Sequence, residues 1–190
     1  MKNFRNLIAA TALLTGSLFS MTAWGVSKDE AQEALKQLKK IQGHYLNLSG
    51  ELTFQAQEIR RSDRALVTIR EYKINCNDLN IVVNDINGSI NNILVNLENP
   101  NGDGIGIELD FVDKIKSGPQ KLLIQSYAEE NDTSKKLVFR STNQMDIKLD
   151  SNGKLSRIEV LSLDTEREYE FYLFKTLTKS YLSKGVCTAL

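Results

Sequence analysis

The most site-like stretch of the chain runs Asn99-Pro-Asn101-Gly-Asp103-Gly104, followed by Ile-Gly-Ile-Glu-Leu-Asp110. Side-chain oxygens at the first, third and fifth positions, a glycine next and a carboxylate at the twelfth follow the ligand order of a calcium loop. Asn99, Asn101, Asp103 and Asp110 are therefore the candidate Ca²⁺ ligands, and Ca²⁺ is the one cofactor the sequence suggests. Asn stands first where Asp is usual, and Asp110 reaches less far than the Glu usual at the twelfth position. The same residue types also build ordinary hairpin loops, and a plain turn is the favoured reading.

Cys76 and Cys187 are the only cysteines. Their separation is unlike a C-x-x-C redox motif. Two such cysteines pair in an oxidising compartment, so one disulfide is expected, tying a loose C-terminus to the domain. His44 is the only histidine and no G-x-S-x-G occurs. Neither a His-based triad nor a zinc site has the residues it needs. Glu166, Glu168 and Glu170 share one strand face by period 2, and nothing near them removes water, so they read as a wet face. No catalytic residue is expected. The chain has 24 basic and 24 acidic residues, and Arg60, Arg61 and Arg64 are diluted by Glu58 and Asp63. That balance excludes nucleic acid as a partner.

The elements that position these residues follow from periodicity. Residues 1–25 read as a signal peptide: Lys2 and Arg5 form a basic n-region, Leu7 to Met21 an uncharged apolar run, and Ala23-Trp-Gly25 a cleavage site. The expected destination is the periplasm or the exterior, with no membrane span after cleavage. Residues 26–190 form a single domain. Ser27 and Glu30 make a capping box, and Ala31, Ala34, Leu35, Leu38 and Ile41 recur at helical spacing, with a stop at Gly43. The period then changes to 2. Strand-like runs cover 45–56, 65–75, 79–86, 89–98, 104–113, 121–128, 136–149, 154–163 and 167–175, and 175–184 is open between helix and strand. Asn87-Gly88 and Asn152-Gly153 mark hairpins. The fold class is mainly β: an antiparallel meander closing into a barrel, or a sandwich, with one N-terminal amphipathic helix. The alternative is an α+β sheet wrapped on that helix.

Gly43-His44-Tyr45 opens the first long strand behind a helix, many antiparallel strands follow, and a cysteine stands near the C-terminus. This layout resembles that of the lipocalins, which open on G-x-W and tie their C-terminal segment by a disulfide; Tyr45 stands where the Trp would be. The resemblance implies a barrel interior lined by Leu46, Leu48, Leu52, Phe54, Ile105, Ile107, Leu109 and Phe111. Such an interior holds a small apolar ligand or is filled as a packed core. Arg70 and Tyr72 sit in a strand of mixed parity and are candidate inward polar anchors. The function expected is a secreted or periplasmic non-catalytic binding module for a small apolar molecule. The alternative is an envelope structural or protein-interaction domain with a filled core and an exposed apolar patch.

Overall fold

The computed structural model describes residues 28–60, 62–98, 104–110, 112–134, 136–170 and 174–190. Residues 1–25, Ser27, Asn99, Asn101, Asp103 and Phe111 lie outside the described residues. One helix, α1 (Lys28–Ile41), precedes the strands β1 (Gly43–Tyr45), β2 (Leu48–Ile59), β3 (Leu66–Asn75), β4 (Leu79–Ile86), β5 (Ser89–Glu98) and β6 (Gly104–Asp110). They are followed by β7 (Val112–Gly118), β8 (Lys121–Asp132), β9 (Leu137–Leu149), β10 (Leu155–Glu170) and β11 (Phe174–Ala189). The apolar stripe of α1 buries Ala34, Leu35, Leu38 and Ile41. Its acids Asp29 and Glu30 lie in the first turn and Lys39 and Lys40 in the last, as the helix dipole favours.

All strand pairs are antiparallel, in two sheets. The smaller has the order β1-β4-β5-β6 and the larger β3-β2-β11-β10-β9-β8-β7. Asn87 and Gly88 both adopt positive φ (52° and 78°), which is the geometry of a two-residue hairpin matched to strand twist. At the β9–β10 turn, the Asp150 carboxylate accepts the Asn152 and Lys154 amides. The run at 104–113 divides into β6 and β7, which belong to different sheets. The runs at 154–163 and 167–175 are largely one strand, β10, and residues 175–184 are strand rather than helix.

Of the expected barrel or sandwich, no sheet among the described residues is closed into a barrel. Neither sheet closes on itself: β3 and β7 end the larger, β1 and β6 the smaller. The chain leaves the larger sheet after β3, builds β4 to β6 across that sheet's inner face, and returns through β7. The inserted sheet occupies the place a lumen would have. The result is a sandwich-like α+β arrangement, with α1 packed on β7, β5 and β4. Leu52, Ile74, Leu122, Ile124, Met145, Ile147, Ile158 and Val160 from the larger sheet meet Leu79, Ile81, Ile93, Val95, Leu97, Ile105, Ile107 and Leu109 from the smaller in one continuous core.

β6 lies across the larger sheet and is tied to it. The Asn143 side-chain amide donates to the Glu108 carbonyl at 3.0 Å, and the Tyr72 hydroxyl to the Gly104 carbonyl at 2.9 Å. Strand register places Ser126, Asn143, Ser162 and Ser183 in one line across β8 to β11. All four are buried, and Asn143 also reaches the Ser126 and Ser141 hydroxyls. The edges are blunted too. The Gln37 side chain donates to the Gly118 carbonyl at the end of β7, β1 is three residues long, and β3 bulges opposite Ala56 and Gln57. These devices discourage strand-to-strand association.

Cys76 and Cys187 are bonded, with Cα atoms 5.7 Å apart. The C-terminus is not a loose end, because β11 is hydrogen-bonded on both sides, to β2 and to β10. Cys76 instead occupies the short 3-10 turn that carries the chain from β3 in one sheet to β4 in the other. The bond pins that corner to β11. It spans 111 residues of sequence, for which chain entropy gives about 4–5 kcal/mol. Replacing both cysteines by alanine should lower the unfolding free energy in urea by about that amount. A loss below about 1 kcal/mol would mean the corner is held by packing alone.

Candidate functional site

The outer face of the larger sheet carries what its inner face does not need. On β10, Ile158, Val160 and Ser162 point inward, so Leu161 and Leu163 must point outward. Leu161 stands opposite Lys184 of β11 and Leu163 opposite Leu182. On the other side, Leu161 neighbours Gln144 and Leu163 neighbours Thr142 of β9. Gln125 and Tyr127 of β8 complete the two rows. Leu161 is 44% exposed, Leu163 39% and Tyr127 43%. All of these but Lys184 line a shallow groove of about 310 Å³, and every side chain of that lining is uncharged.

The groove's aromatic wall is held in place. The Tyr127 hydroxyl donates to Glu129 at 2.9 Å. Arg140 makes two bonds to the same Glu129 oxygen, at 3.1 and 2.7 Å, and its guanidinium lies 5.8 Å from the centre of the Tyr127 ring. Glu129 above all, with Tyr127, holds the Arg140 proton more firmly than usual. The Gln125 amide donates to Gln144 at 2.8 Å. Such an arrangement fixes side chains before anything binds, which lowers the entropic cost of binding.

The structure separates the residues expected to line a lumen. Leu52, Ile105, Ile107 and Leu109 are at most 2% exposed, Leu48 is 4% exposed, and all lie in the contact between the sheets. Phe54 is partly buried and packs 4.9 Å from the Tyr72 ring. Leu46 is 62% exposed. The chain bends at Leu46 and Asn47, between β1 and β2, so the alternation that put Leu46 inside is broken there. Of the two suggested anchors, Tyr72 reaches the β6 backbone, whereas Arg70 is exposed and stacks 4.8 Å over the Tyr72 ring. His44 lies 2.8 Å from Asp78 with both side chains half exposed.

Of the four candidate calcium ligands, only Asp110 lies among the described residues. β6 is extended: Gly104 pairs with Glu98 at one end of the ladder, and Asp110 with Asn92 at the other. Six steps of strand carry Asp110 roughly 20 Å from Gly104. Asp110 stands beside Glu108, and Glu108 accepts an amide proton from Asn92 at 2.7 Å, which in turn accepts one from Asn84. No group of His, Cys, Asp and Glu side chains among the described residues is arranged to hold a metal ion.

In the sequence, 154–163 reads as a strand-like run with neither face assigned, so Leu161 and Leu163 do not stand out. The signal was present: Val160 and Leu161 are both apolar, which marks a strand with apolar character on both faces. No protein-family model matches this chain, and no curated protein matches it.

Burial, and then the neighbouring Asp110 carboxylate, raise the pKa of Glu108, against the pull of the Asn92 bond. A carboxyl with a raised folded-state pKa binds its proton more tightly folded than unfolded. Stability therefore falls as pH climbs from the ordinary glutamate value to the folded one. Glu108→Gln should raise the urea midpoint at pH 7 and leave it unchanged at about pH 3, below the ordinary glutamate pKa. An equal gain at both pH values would show that charge is not the cause.

Proposed function

We propose that this protein is a non-catalytic binding module that works from the open face of its larger sheet and not from an enclosed lumen. The observation that carries this reading is the uncharged groove over Leu161, Leu163 and Leu182, on the outer face of a sheet whose inner face joins one continuous core. A protein that buries its leucines between sheets gains nothing from leaving adjacent leucines at the surface. Contiguous exposed apolar groups mark contact sites. A fixed tyrosine and a rim of ion pairs, Lys121 with Asp146 and Arg157 with Glu159, match the anatomy of an interface with an apolar centre and a polar border. The disulfide fits an oxidising compartment, and the reading places the mature chain in the periplasm or outside the cell.

A photo-crosslinking amino acid at position 163, introduced in the native host, should give one dominant adduct whose mass identifies the ligand or partner. The same group at exposed Ile86, on the smaller sheet, should give none. Adding Leu161→Glu should abolish the adduct at 163 without changing the thermal midpoint. Equal labelling at both positions, or none at 163, would sink the reading.

A further inference from the structure

The groove has a charged neighbour that fixes what it would take. Leu161, Leu163, Leu182 and Lys184 form a two-by-two block on adjacent strands, with Leu161 opposite Lys184 and Leu163 opposite Leu182. Directly opposed residues on one face stand about 5 Å apart between Cβ atoms. Several cations of this face are engaged, Lys73 with Glu51 at 2.6 Å, Lys121 with Asp146 at 2.9 Å, Arg140 with Glu129 at 2.7 Å and Arg157 with Glu159 at 2.8 Å, whereas Lys114, Lys116 and Lys148 pair with no described acid but do not stand directly opposite a groove leucine as Lys184 does. Lys184 is exposed and makes no ion pair with any described residue. Its apolar stem lies beside Leu161 while its ammonium reaches water, as lysines at apolar borders do. Three leucines and an uncommitted cation side by side complement one kind of molecule, an apolar chain that ends in an anion.

Resting on the reading of this face as a binding site, we infer that the groove takes the acyl chain of a medium-chain fatty acid, with its carboxylate on Lys184. The tail lies over Leu161, Leu163 and Leu182 against the Tyr127 ring, and the head exchanges water for the ammonium. The uncharged lining offers a second charge nothing, so a cationic amphiphile of equal length is disfavoured by Lys184 and gains no partner elsewhere in the groove.

The test titrates the oxidised chain with decanoate and with decyltrimethylammonium, reading amide shifts by NMR. Decanoate should give saturable shifts centred on Leu161, Leu163, Leu182 and Lys184, and the cationic amphiphile should bind at least about tenfold more weakly. Lys184→Gln should weaken decanoate about tenfold with the thermal midpoint unchanged. Leu163→Ser should weaken both amphiphiles. Equal binding of the two, indifference to Lys184→Gln, or shifts centred elsewhere would overturn the assignment. If decanoate leaves the groove unshifted while position 163 still crosslinks to a protein, the fatty-acid assignment falls and the binding face stands.

Discussion

The seam between β2 and β11 decides whether either face of the larger sheet exists. These strands come from opposite ends of the domain, with Leu48 paired to Ala189 and Glu58 to Lys179. Until they pair, β2 and β3 are a separate hairpin, and the outer and inner surfaces are each cut in two. Closing so long a loop is entropically expensive and is rewarded only once the contacts form. The seam is built for close approach. Gly50 sits at φ 111° with its missing side chain directed at the Val186 carbonyl, and Gly185 faces the Glu51 carbonyl in the same way. A methyl group at either position would collide with partner backbone, and at Gly50 the positive φ adds strain. The Cys76–Cys187 bond lies beside this seam, since Cys187 pairs with Gly50.

Local rules made much of this fold legible. The helical spacing of Ala34, Leu35, Leu38 and Ile41, the change of period after Gly43, and Asn87-Gly88 each follow from short-range physical chemistry, and each is where it was expected. The partition into sheets was not legible. The runs that became β4, β5 and β6 look no different from those that became β8, β9 and β10, because alternation reports that one face is dry and not which sheet dries it. For the same reason the residues assigned to a lumen fell into two groups, Leu48 and Leu52 on one layer and Ile105, Ile107 and Leu109 on the other, facing each other across the core. The calcium pattern is written as a spacing and assumes a loop, and its first half lies outside the described residues. The alternation Ile105, Ile107, Leu109 was already evidence that the second half of that motif is extended strand.

The two faces of the larger sheet differ in how polar groups are used. Inside, Ser126, Asn143, Ser162 and Ser183 form a line where the smaller sheet crosses, and Asn143 uses its amide to hold the Glu108 carbonyl. The same amide also donates to the Ser126 hydroxyl, which offsets part of the cost of burying both groups. Farther along β10, Asp164 stands opposite Ser141 and Tyr181; its crowded setting raises its carboxyl pKa, and the Ser141 hydroxyl pulls the other way. Outside, the amides and hydroxyls of Gln125, Gln144, Thr142 and Tyr127 surround leucines that no described element covers.

A strand can serve two faces only when its alternate residues answer to different partners. β10 does so: Ile158 and Val160 answer to the smaller sheet, while Leu161 and Leu163 line the open groove. Because both pairs hang on one backbone, the rigidity that packing gives the first pair is passed to the second. The groove is therefore held in shape by the core beneath it, which is the condition for binding without reorganisation.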